Sequence, residues 1–178
     1  LLSMTLVQRF DPQSRRWEDG APFPASRSSH DAVVVGDKLY VAGGWQLSGG
    51  TNKPAWPRNA LVLDLAHPQS GWKTFPQPFQ RRALALATHG SQVFCIGGMD
   101  SNNKPTLAVD ERAWEVVGRL EHPRMAHRLV TAGTTQLIAL GGEDGEDKRP
   151  DLELLTPAVN PLVKQSADTT QAAAHIHQ

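Results

Sequence analysis

The chain has 178 residues, with 18 Lys plus Arg set against 18 Asp plus Glu and a pI near 7.2. Nucleic-acid and anionic-membrane binders need a basic excess, so this balance argues against both, and no apolar run approaches the ~20 residues that span a bilayer. The length suffices for one domain with a substantial core, and 15 Gly with 13 Pro mark a turn-rich globular chain.

In chain order, two strands are predicted first, over Met4–Asp11 and around Arg16-Trp17-Glu18. A hairpin follows, with Ala32-Val33-Val34-Val35 and Leu39-Tyr40-Val41-Ala42 joined across Gly36-Asp37, a strong hairpin signal. Further strands are Ala60–Asp64 and Trp72–Phe75, then Ala83–Ala87 and Val93–Ile96 across His89-Gly90-Ser91. Thr106–Val109, Trp114–Val117, Leu129–Ala132, Leu137–Leu140 and Leu152–Leu155 complete the set. Apolar runs this short suit strands buried on both faces. No helical periodicity is sustained, and residues 161–178 read as a tail or short terminal segment after a domain spanning 1–160. The one cysteine, Cys95, reads as a small buried hydrophobe; with no second thiol the redox compartment stays open, the cytoplasm being slightly favoured.

The strands recur in register. Trp17, Arg27 and Gly43-Gly44 are followed by Trp72, Arg82 and Gly97-Gly98, then by Trp114, Arg124 and Gly141-Gly142. A fixed sub-spacing on a variable period of roughly 50 residues marks repeated supersecondary units whose length differences fall in loops. Each unit is a four-stranded antiparallel sheet, the first entered halfway and the last left roughly halfway.

Units with a diglycine closing the second strand and a tryptophan at the fourth resemble the kelch repeat of β-propellers. The best matches are Arg27-Ser28-Ser29-His30 through Gly43-Gly44, and Arg124-Met125-Ala126-His127 through Gly141-Gly142; the middle unit carries Ala85 at the histidine position. The expected fold is therefore all-β, a kelch-type propeller segment of about three blades in an incomplete ring. Kelch propellers usually hold six or seven blades. Either the chain is a piece of a longer propeller, or two copies form a six-bladed homodimer in which the N-terminal outer strands of one complete the last blade of the other.

Alternation of strand direction puts the strand-start arginines Arg27, Arg82 and Arg124 on one rim with the loops 45–58, 99–105 and 143–150. With the first strand innermost, as the resemblance implies, they ring the channel mouth. There they would suit a carboxylate or acidic peptide, or else pair with carbonyls and acids of the next blade. The longest loop adds Trp45, Lys53, Trp56 and Arg58, a pattern suited to recognition. Catalytic sets are thin: Ser29-His30-Asp31 alternate faces along a strand, and His175/His177 lack a third ligand. No cofactor or metal is expected. The expected function is protein or acidic-peptide binding without chemistry; the alternative is a sugar-processing enzyme resembling kelch-fold sialic-acid mutarotases, with an acidic sugar as ligand.

Overall fold

A computed structural model describes residues 1–156 except 107, 112, 113 and 115, and of 109–111 the backbone alone. The strands are β1 (Gln8–Asp11), β2 (Arg16–Asp19), β3 (Ser28–Val35), β4 (Lys38–Trp45), β5 (Asn59–Asp64) and β6 (Lys73–Pro76). They continue with β7 (Arg81–Arg82), β8 (Ala85–His89), β9 (Gln92–Ile96), β10 (Met99–Asp100), β11 (Ala108–Glu111) and β12 (Val116–Arg119). The last are β13 (Arg128–Ala132), β14 (Gln136–Leu140) and β15 (Leu152–Leu155). The tail expected over 161–178, with His175 and His177, lies outside the described residues.

All ladders are antiparallel. β3-β4-β5-β6 form the first full sheet, β8-β9-β11-β12 the second, and β13-β14-β15 a third of three strands. β1 and β2 pair as a hairpin ahead of the first sheet, and β7 pairs with β10 at the edge of the second. β15 pairs with β14 and is the last described strand of that sheet, so a strand completing the third sheet, from further along the chain or from a second copy, would add beyond β15.

Period-two alternation makes these sheets stack. Val93 and Cys95 of β9 face Ala42 and Ala60 of the first sheet, while Phe94 and Ile96 face Leu137 and Ala139 of the third. Both faces of the second sheet are thereby buried, and Cys95 is fully so. Trp114 wedges between the first two sheets, stacked on Phe75 with centroids 6.0 Å apart and edge-on to Phe79 at 5.2 Å. Trp72 sits the same way against Phe23. Trp17, with no described sheet before it, is 66% exposed, against 8% for Trp114. At the other end of the stack Val130, Leu140, Leu152 and Leu154 line the outer face of the third sheet, exposed.

The first glycine of the first two diglycines meets the next sheet. A Cβ at Gly43 would fall 2.4 Å from Leu84 Cδ2, and one at Gly97 would fall 2.5 Å from the Arg124 carbonyl and 2.7 Å from His127 Cε1. At Gly141 the nearest atom is 3.5 Å away, on the carbonyl of Arg149 in its own repeat. Leu84 is thus the repeat equivalent of His127, in place of the expected Ala85. Ser29, Ala83 and Ala126 occupy one repeat position with φ of 53°, 51° and 53°. They join the sheets through Ala83 N–H to Ser29 O at 2.9 Å and Ala126 N–H to Ala83 O at 2.8 Å. Strand starts from three repeats therefore gather at one rim.

Candidate functional site

The repeat arginines do not stand free at that rim. Arg27, 6% exposed, donates from Nη1 to Gly43 O at 2.8 Å and from Nη2 to Asn59 Oδ1 at 2.8 Å. Arg124, fully buried, donates to Gly141 O at 3.0 Å, Asp151 Oδ2 at 2.9 Å and Glu153 Oε1 at 2.5 Å. Their partners lie in their own sheet, not in the next one. Guanidinium suits this post because its fork can satisfy a diglycine carbonyl, which has left-handed backbone beside it, together with the head of the third strand.

The third residue at this post is Arg81, not Arg82. Arg81 is 4% exposed and donates to Gly97 O at 2.9 Å, repeating the bonds of Arg27 to Gly43 and Arg124 to Gly141. Counting ten residues forward from Trp72 lands one position late. Counting back 16 or 17 from the first glycine finds Arg27, Arg81 and Arg124 alike, because that distance is set by two paired strands and the tryptophan distance by a linker.

Burial without an acid lowers Arg27 to about 10. Arg124 differs in having Glu153, 8% exposed, where the first repeat has Leu61. Glu153 also accepts the backbone N–H of Glu121 at 2.8 Å and of His122 at 3.2 Å. The side-chain ligand atoms of His122, Asp151 and Glu153 lie within 4.8 Å of one another, yet Arg124 already holds both carboxylates, so a cation would have to displace it. His127, 4% exposed, is lowered to about 4 by burial first and then by Arg124. It is a neutral wedge against Gly97.

Freed from the structural post, Arg82 turns to the rim. Its guanidinium carbon lies 4.1 Å from the centroid of the Trp45 ring, a cation–π arrangement, and Nη2 is 2.8 Å from Met99 Sδ. Partial burial lowers its pKa, and among the described residues no carboxylate pairs with it. Trp45 and Trp56 lie 5.8 Å apart because Gln46 and Ala55 between them exchange backbone hydrogen bonds of 2.8 and 3.0 Å. That pairing closes the long loop into a hairpin, with Gly49 and Gly50 at positive φ in its turn. Ser3 N–H to Leu47 O at 2.9 Å ties it to the N-terminal segment. Lys53 is exposed in the loop.

Arg58 lines a neighbouring cleft of about 360 Å³ with Phe79, Gln80, Arg81, Asp100 and Ser101. The structure thus brings Trp45, Trp56 and Arg82 together, sets Lys53 and Arg58 on the flanking loop, and withdraws Arg27 and Arg124. Met99 was invisible as a contributor in the sequence, since only the β7–β10 pairing carries it to Arg82.

No family model matches the chain. Among curated proteins it is 33% identical over 104 residues to β-scruin of Limulus polyphemus, covering 56% of this chain and 11% of that protein. It is 27% identical over 96 residues to human kelch repeat and BTB domain-containing protein 12, covering 52% and 15%. It is 25% identical over 160 residues to rat kelch-like protein 25, covering 88% and 26%. The chain thus spans about a quarter or less of these relatives' lengths. Among solved structures, that of YjhT superposes with a TM-score of 0.70 at 18% identity, over 85% of this chain and 48% of that one.

Proposed function

Since the chain is a kelch-type β-propeller segment, we propose that it is a protein- or peptide-binding module whose ligand face is the rim carrying Trp45, Lys53, Trp56, Arg58 and Arg82. One observation carries the reading: an arginine held over an indole, with no carboxylate paired to it among the described residues, next to a second indole in the longest loop. A guanidinium so placed offers a pre-oriented fork to a carboxylate, and the two rings offer rigid apolar area at low entropic cost. The ligand is an acidic peptide segment, its carboxylate on Arg82 and an apolar neighbour on Trp56.

An acidic-sugar-processing enzyme, the other reading, would draw on Arg82 alone among the three arginines first picked out. The two-copy ring draws on the exposed apolar end faces, with partner strands lying beyond β15, and the mass of the chain in solution tests it. For the ligand face, titration of a tryptophan-bearing acidic peptide against an all-Lys analogue, followed calorimetrically, should give binding of the acidic one only. Arg82→Ala and Trp56→Ala should each weaken it at least tenfold, about 1.4 kcal/mol, with melting temperature unchanged. Equal binding by Arg82→Ala refutes the reading.

A further inference from the structure

The net charge of zero conceals a rim that is electrically polarised from one end to the other. The loop of the first repeat, 45–58, carries Lys53 and Arg58 and no acid; that of the second, 99–105, carries Asp100 and Lys104. The loop of the third, 143–150, carries Glu143, Asp144, Glu146 and Asp147 against Lys148 and Arg149. Formal charge therefore runs from +2 through 0 to −2 across the three loops, and Arg82 adds a further cation beside Trp45.

The acidic end is shaped to show its surplus. Asp144 accepts the backbone N–H of Glu146 at 3.0 Å and of Asp147 at 2.8 Å and pairs with Arg149. Those amides and that guanidinium hold its carboxyl at about 2. Lys148 is 3.6 Å from Glu143. Both cations of the loop are thus taken within it, and Glu146 and Asp147 are exposed acids with no ion pair among the described residues.

The three loops form one continuous surface. Arg82 of the second repeat lies on Trp45 of the first, and a Cβ at Gly145 in the third loop would meet Pro105 of the second at 3.4 Å. Packed sheets lie ~10 Å apart, so the outer two loops are ~20 Å from each other, a distance an extended chain covers in ~6 residues. Screening acts over ~8 Å at physiological salt. Each end therefore presents its own sign to a ligand rather than an average.

We propose that the partner of this rim is a bipolar segment: an acidic group seated at Arg82 and the first loop, and a basic group about six extended residues away over Glu146 and Asp147. Polarity across the rim fixes the direction in which the segment lies, and a segment bound the other way round meets like charge at both ends. This rests on the proposed ligand face and adds to it the partner's charge order.

Two peptides of one composition test it, one with acidic and basic blocks separated by about six Gly/Ser residues, the other with the same residues intermixed; a purely acidic peptide is the third probe. The block peptide should bind the full chain about tenfold more tightly than the intermixed one, from a few exposed ion pairs at each end. That preference should disappear above ~0.5 M salt and in the double variant Glu146→Lys/Asp147→Lys. Equal binding of block and intermixed peptides, with the acidic peptide still bound, overturns the polarity while leaving the ligand face in place. Failure of all three peptides overturns both.

Discussion

Substituting alanine at the first glycine of each diglycine separates backbone strain from sheet-to-sheet contact. Gly43, Gly97 and Gly141 have φ of 75°, 62° and 62°, so each alanine variant carries the same left-handed penalty, about 1–2 kcal/mol. Their surroundings differ. At Gly97 a Cβ would press on the backbone carbonyl of Arg124 at 2.5 Å and on the His127 ring at 2.7 Å, rigid atoms that can yield only if the third sheet moves away. At Gly43 the closest atom is a Leu84 methyl at 2.4 Å, the flexible end of a side chain. At Gly141 nothing lies nearer than 3.5 Å. Overpacking adds about 1–3 kcal/mol, so Gly97→Ala should cost about 3–5 kcal/mol in all, Gly43→Ala about 2–3, and Gly141→Ala about 1–2. Urea unfolding followed by circular dichroism reads the order directly. Equal losses at Gly97 and Gly141 would mean that the sheets do not pack through their diglycines, and the stacked architecture would have to be abandoned.

His127 should make stability depend on pH. Its unfolded value is near 6.5 and its folded value about 4, so between these only the unfolded chain takes the proton. Stability is complete above pH 6.5 and falls as pH drops toward 4, by up to about 3 kcal/mol. His127→Leu, which installs the residue of the second repeat, should flatten most of that slope in urea melts at pH 7 and 4.5. His30, also lowered by burial and Arg27, supplies the remainder, and an unchanged slope would show the imidazole to be solvated. At the third arginine post, Arg124→Met should cost about 3–5 kcal/mol by stranding Glu153. Glu153→Leu leaves Arg124 paired with Asp151 but unpairs the amides of Glu121 and His122, so it should cost less, about 1–3 kcal/mol, and the double variant should cost less than the two single losses added together. Thermal melts that rank the single variants in the opposite order would refute the assigned pairing.

The order and pairing of the strands were written in the sequence because they rest on local rules. Gly36-Asp37 turns β3 into β4, alternation sends Val93 and Cys95 one way and Phe94 and Ile96 the other, and diglycines recur where each second strand ends. These signals act within a few residues, so composition and spacing suffice to read them. The long loop and its two tryptophans were legible as a candidate ligand face for the same reason. What each arginine does was not. Arg81 and Arg82 are adjacent and chemically identical, yet one is sealed on Gly97 and the other lies on Trp45, 37 residues away in sequence. Alternate residues of a strand point to opposite sides, so a one-residue error in aligning the repeats exchanges a buried structural cation for a half-buried one at the rim. Only the packing of one sheet on the next fixes that register, through the space a missing Cβ leaves at Gly43 and Gly97. The same packing decides that Glu153 is a buried partner of Arg124 and Asp147 an exposed acid, a difference of burial that no count of charges contains.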